Sequence, residues 1–133
     1  MGRILALDHG SARCGCAVTD PSGTLVSVLP AVGRPDTRAG IAALVRLVAD
    51  QEAERVVVGL PLTLAGEEGA QAKEARAFSE RLAGRLAVPV ELHDERLTTR
   101  LAERTGGRGD LDSRAAAHLL ESYLTRAGAG LPE

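Results

Sequence analysis

Four carboxylates stand where a folded chain could bring them together. Asp8 ends the apolar run that begins at Arg3, Asp94 and Glu95 follow the alternating Val88, Val90 and Leu92, and Asp112 follows a glycine-rich break. Strand ends and helix starts are where an α/β sheet exposes its site. Three carboxylates brought to about 4 Å repel by about 4 kcal/mol per pair at an effective dielectric of 20, so a cation must offset them. Hard oxygen donors without a histidine-cysteine cluster favour Mg2+ or Mn2+ over zinc, and any of the four could serve as a ligand. Two such ions bridged by a shared aspartate would hold an attacking water and the leaving oxygen of a phosphodiester in line. The chemistry implied is hydrolysis of nucleic acid.

Each acid also has a plainer reading. Asp8 could serve an Asx turn, Asp94-Glu95 could cap a short helix over 97–103, and Asp112 could be a helix N-cap, a role compatible with metal binding. Arg13 and Arg96 each follow a proposed ligand closely and suit phosphate contacts. Fifteen arginines stand beside the single lysine, Lys73, and the guanidinium is the better bidentate partner for phosphate. His9, His93 and His118 share no spacing and read as structural or peripheral, with His9 the best placed for a role at the site edge. The segment from Gly59 to Gly66 reads as a strand end and loop that could offer backbone N–H groups to a phosphate. Cys14 and Cys16 are too close for an ordinary disulfide and lack zinc-ligand partners, so they read as small apolar strand residues.

The elements that must position these residues follow from the pattern of apolar positions. Arg3–Asp8 and Cys14–Thr19 form an expected hairpin around the turn-like residues 9–12. The turn Asp20-Pro21-Ser22-Gly23 then leads to a third strand over Thr24–Leu29. Ile41, Leu44, Val45 and Val48 mark one face of a helix within 36–50. Arg55–Leu60 shows no alternation, as suits a parallel strand buried on both faces, and Pro61 ends it. Ala75, Phe78, Leu82 and Leu86 mark a long second helix, and Val88–Leu92 a fifth strand. A short helix is expected over 97–103. The last helix carries a buried stripe of Ala116, Leu119, Leu120, Tyr123 and Leu124. A three-strand antiparallel meander extended by two parallel strands through helical crossovers is the order of an α/β, ribonuclease H-like fold.

At 133 residues, 44% hydrophobic and 26% charged, the chain is expected to form one domain over 1–133 and to fold unaided. It contains neither a membrane-length apolar run nor a signal-peptide core, which points to the cytoplasm. A net charge of -2 excludes general electrostatic adsorption of nucleic acid but not a local site. Phe78 and Tyr123 are spaced like core residues, so base stacking on exposed rings is not expected.

The strings LALDHGSARCGCAVTD, VVVGLPLTLAGEEG, LHDERLTTRLAE and LDSRAAAHLLESYL, in this order, resemble the YqgF/RuvX family. That family is associated with Holliday junction resolution and with finishing the precursor of small-subunit ribosomal RNA. The most specific piece is Asp94-Glu95-Arg96-Leu97-Thr98-Thr99 after an apolar strand. The resemblance implies a divalent-metal site in which Asp8, Glu95 and Asp112 form the acidic triad, with Arg13, Arg96 and Thr98 nearby. Its substrate would be structured RNA or a four-way DNA junction. In the wider fold class the second acid often ends the fourth strand; here it is Glu95, after the fifth, as in YqgF-type sequences. The stretch Thr105–Leu111 is short, with Arg108 its only basic residue, which leaves part of the substrate grip to a second subunit in a homodimer. Two further readings compete. Asp8-x-Gly10 with Arg13 resembles the phosphate loop of actin-like ATPases and sugar kinases, although those need two domains to close over a nucleotide. A catalytically silent nucleic-acid-binding module is the other.

Overall fold

The computed structural model describes residues 2–94 and 111–130, with side chains described over 2–94 and 113–126. Strands β1 (Arg3–His9), β2 (Arg13–Thr19) and β3 (Val26–Gly33) form the expected antiparallel meander. Helix α1 (Arg38–Asp50) crosses to β4 (Ala53–Leu60), and α2 (Ala70–Ala83) crosses to β5 (Val90–Asp94). Both added strands run parallel to β1, in the sheet order β3-β2-β1-β4-β5. The last helix, α3 (Leu111–Gly130), follows. The C-terminal ends of β1, β3, β4 and β5 therefore share one end of the sheet with the start of β2.

Alternation along the strands divides the core in two. Leu5 and Leu7 of β1, Cys14, Cys16 and Val18 of β2, and Val56 and Val58 of β4 face α1 and α2. There they pack against Ile41, Leu44, Val48, Phe78 and Leu82. The opposite face presents Ala6 and Ala17 to Ala116, Leu119 and Leu120 of α3. Short side chains on this face let the helix lie close to the sheet. Val56, Val57 and Val58 are all fully buried, as their unbroken apolar run requires of a strand covered on both faces. Both cysteines are buried thiols outside any disulfide, in keeping with their reading as small apolar residues.

Several boundaries differ from the sequence reading. β3 begins at Val26 rather than Thr24 because the Asp20 carboxylate accepts the Thr24 and Leu25 amides at 2.9 and 3.1 Å. It also runs on through Pro30, which an edge strand tolerates where the ladder shifts. Cys14 pairs with Val32 but Cys16 with Leu29, so Pro30 falls in that shift. α1 starts after Thr37, whose hydroxyl accepts the Gly40 amide at 3.0 Å. α2 stops at Ala83 before Gly84, so Leu86 packs on the core from beyond the helix. The helix expected over 97–103 lies outside the described residues. Among those described, no helix is long and apolar enough to cross a membrane.

Candidate active site at the end of the sheet

Asp8 is the last but one residue of β1 and pairs with Gly15 of β2. Leu7 pairs with Val58, so Asp8 stands level with Gly59 of β4. Because Leu5 and Leu7 face α1 and α2, the pleat turns Asp8 to the α3 face, flanked on both neighbouring strands by glycine. Ser113, fully buried in the first turn of α3, accepts the backbone N–H of Cys16 at 3.2 Å. Cys16 adjoins the residue that pairs with Asp8. One hydrogen bond between residues 97 apart thus pins the start of α3 to β2, one residue from the partner of Asp8.

The other expected site residues are distributed unevenly. Asp94 ends β5 opposite Leu60 and follows Leu92, which packs on the α1/α2 core. The alternation that turns Asp8 toward α3 therefore turns Asp94 toward the other face. Arg13 opens β2 at the same end of the sheet, exposed, paired with Gly33, its carbonyl accepting the Gly10 amide at 2.9 Å. Glu95, Arg96, Thr98 and the Asp112 side chain lie outside the described residues. Among the described residues, no three His, Cys, Asp or Glu side chains form a metal-binding group.

The histidines resolve clearly. His9, next to Asp8 in sequence, faces the opposite side of the sheet, in keeping with its structural reading and away from the site edge it could have taken. Its Nε2 meets the Asp36 carboxylate at 2.9 Å, its ring lies 4.6 Å from Phe78, and its side chain is 3% exposed. His93 does share the Asp8 face, paired with Gly59. It contacts the Ser122 hydroxyl at 3.1 Å and meets the Tyr123 ring edge-on at 5.6 Å. Burial, reinforced by the Arg126 charge, lowers its pKa and favours the neutral ring. His118 lies 3.6 Å from Glu121, one turn along α3.

Two arrangements had no signal in the sequence. The Ser113 anchor is one; the other is a triangle at the far end of α3, where Arg55 donates to Tyr123 at 2.9 Å and to Glu91 at 2.6 Å while Tyr123 donates to Glu91 at 3.0 Å. The bond that Arg55 donates to Tyr123, then the Glu91 charge, raises the Arg55 pKa further. Tyr123, read from its spacing as core, is a polar clamp. The loop after β4 is ordered by its own backbone. The amides of Leu62, Thr63, Gly66 and Glu67 bond within it, so they are already used and the loop is a poor phosphate cradle.

A meander extended by two parallel strands, with helices on both faces and an aspartate near the end of the first strand, defines the ribonuclease H-like class of α/β fold. Residues 2–126 match the family described as "RuvX: Holliday junction resolvase". The chain belongs to that family. Relatives named "Putative pre-16S rRNA nuclease" include one from Chloroflexus aurantiacus, 40% identical over 91% of this chain and 85% of its own length. Another, from Anaeromyxobacter dehalogenans, is 41% identical over 93% of this chain and 97% of its own. Among solved structures, T. thermophilus RuvC in complex with a Holliday junction substrate superposes with a TM-score of 0.65 at 17% identity, covering 96% of each chain. The fowlpox virus resolvase bound to Holliday junction DNA gives 0.56 at 12% identity, covering 94% of this chain and 98% of the other. At such identities these two share the fold.

Proposed function

We propose that this chain is a cytoplasmic, divalent-metal-dependent nuclease, built as a single domain, that hydrolyses phosphodiester bonds of precursor small-subunit ribosomal RNA. The observation that supports the reading is the Ser113–Cys16 bond, which ties the start of α3 to β2 one residue from the Gly15 that pairs with Asp8. Asp8, Glu95 and Asp112 hold Mg2+ or Mn2+, with Asp94 as the adjacent acid. The donor set fits such an ion, because every proposed ligand offers hard carboxylate oxygen. When bound, the metal supplies Lewis acidity at the phosphoryl oxygen and a water acidic enough to attack at neutral pH. Gly15, which pairs with Asp8, and Gly59, level with it on β4, place no side chains beside it. Arg13, Arg96 and Thr98 bind the flanking backbone, and a second copy in a homodimer supplies further grip.

The shared name of the relatives favours ribosomal RNA precursor as the substrate. Cleavage of a four-way DNA junction is the second reading, favoured by the family's description. One purified sample, offered labelled precursor ribosomal RNA ends and labelled four-way junctions in Mg2+ and then in Mn2+, tests both. Metal-dependent cleavage of the RNA, absent from Asp8→Asn, is expected. Cleavage of junctions alone would favour the second reading, and cleavage of neither in either metal would favour a silent binding module.

A further inference from the structure

Arg34, just after β3, adopts φ 47°, the left-handed region where glycine is at ease and a long side chain is disfavoured. Its surroundings hold it there. The Arg34 amide donates to the Ala12 carbonyl at 2.9 Å, and its own carbonyl accepts the Thr37 amide at 3.2 Å and the Thr37 hydroxyl at 2.8 Å. A Cβ on Gly40 would lie 2.1 Å from that same carbonyl oxygen, so α1 is packed directly against this turn. The backbone asks for glycine, yet the residue is an arginine with an exposed side chain. What glycine cannot supply is the guanidinium.

Its place gives that charge a use. The Ala12 bond ties Arg34 to the β1–β2 turn, beside Arg13, which pairs with Gly33. Arg38, also exposed, opens α1 immediately after. Asp36, the acid on this rim, has its carboxylate engaged by His9. Among the described residues, the β2–β3 flank of this end of the sheet therefore gathers three arginines, Arg13, Arg34 and Arg38. We propose that Arg34, with Arg13, binds a backbone phosphate of the substrate strand where it leaves the acidic centre across β2 and β3. This rests on the nuclease reading and adds to it a direction for the strand and a phosphate-binding residue that its sequence motifs do not mark.

Arg34→Gly is an unusual probe, because it installs the residue the backbone favours while deleting the charge. Relief of the left-handed strain and the greater freedom of glycine in the unfolded chain oppose one another, so the melting temperature is expected to stay within a few degrees of wild type. Binding of fluorescein-labelled precursor ribosomal RNA ends and four-way junctions is measured by anisotropy in EDTA, from 50 to 200 mM salt. Arg34→Gly is expected to reduce the slope of log affinity against log salt by about 0.7–0.9, and Arg34→Lys to keep the wild-type slope. An unchanged slope in Arg34→Gly would overturn the inference while leaving wild-type binding and cleavage, and the nuclease reading, intact. An equal loss in Arg34→Lys would also overturn it, by assigning the effect to the backbone rather than the charge. Failure of the wild-type protein to bind either probe would overturn the nuclease reading and this inference together.

Discussion

The pleat separates Asp8 from its neighbour more sharply than any feature of residue type does. Asp8 lies on the α3 face between glycines, while His9 is sealed against Phe78 and Asp36 on the other. Asp8→Asn keeps the shape and removes a like charge from the cluster. Its metal-free melting temperature is expected to equal or exceed that of wild type, while cleavage falls by more than about 100-fold, since even outer-shell partners of metal ligands are worth 10- to 100-fold. Loss of several kcal/mol of metal-free stability would assign Asp8 to a structural turn instead. Asp112→Ser divides the two readings of that residue, because serine caps a helix about as well as aspartate but is a poor Mg2+ ligand. The melting temperature is expected to stay within a few degrees, most cleavage to be lost, and excess Mn2+ to restore part of it. Full activity in a folded Asp112→Ser protein would remove Asp112 from the site.

Among the elements, α3 is tied at its start to β2 by the Ser113–Cys16 bond. Ser113→Ala leaves the buried Cys16 N–H without its acceptor, a change worth about 1–3 kcal/mol, and frees the helix start that carries Asp112. Chemical denaturation should register that loss, and calorimetric titration with Mn2+ a weaker affinity. An unchanged affinity would detach the anchor from the site. The turn into β3 makes a separate, pH-dependent contribution. Amides of Thr24 and Leu25, then the Ser22 hydroxyl, hold the Asp20 carboxyl at a pKa of about 2, below its ordinary 3.8. A depressed carboxylate pKa stabilises the fold above the unfolded value, and that stability is lost as pH falls through the folded value. The melting-temperature gap between wild type and Asp20→Asn is therefore expected to be full above about pH 4 and to close toward pH 2. These same bonds explain why β3 was displaced from its apolar run: Thr24 and Leu25 look like strand residues, but their amides serve the turn.

At the scale of the molecule, the two faces of the sheet are packed differently. The α1/α2 face is filled by large aliphatic side chains and Phe78, whereas the α3 face rests on Ala6, Ala17 and Ala116. Ala6 is fully buried beneath α3, so Ala6→Val adds bulk between the helix and the sheet. We expect a cost of about 1–3 kcal/mol from overpacking, accompanied by weaker Mn2+ binding because the helix bearing Asp112 is displaced from Asp8. An equally destabilising truncation on the other face, Ile41→Val, should leave metal affinity unchanged. Equal metal binding in all three proteins would show that α3 packing does not set the site.

Much of this protein was legible in its residues. Strand and helix order, the doubly buried β4, the apolar role of both cysteines and the family resemblance all rest on local periodicity or on short strings, which a linear sequence displays directly. Tertiary structure decided the rest. Which face each acid occupies depends on the phase of a two-residue alternation, set for Asp8 by the packing of Leu5 and Leu7 beneath α1 and α2. Pairing of Arg13 with Gly33, the left-handed turn at Arg34, the Ser113–Cys16 bond and the Arg55–Glu91–Tyr123 triangle join residues from separate elements. No spacing along the chain encodes such contacts, because they exist only once the sheet has brought distant segments to hydrogen-bonding distance.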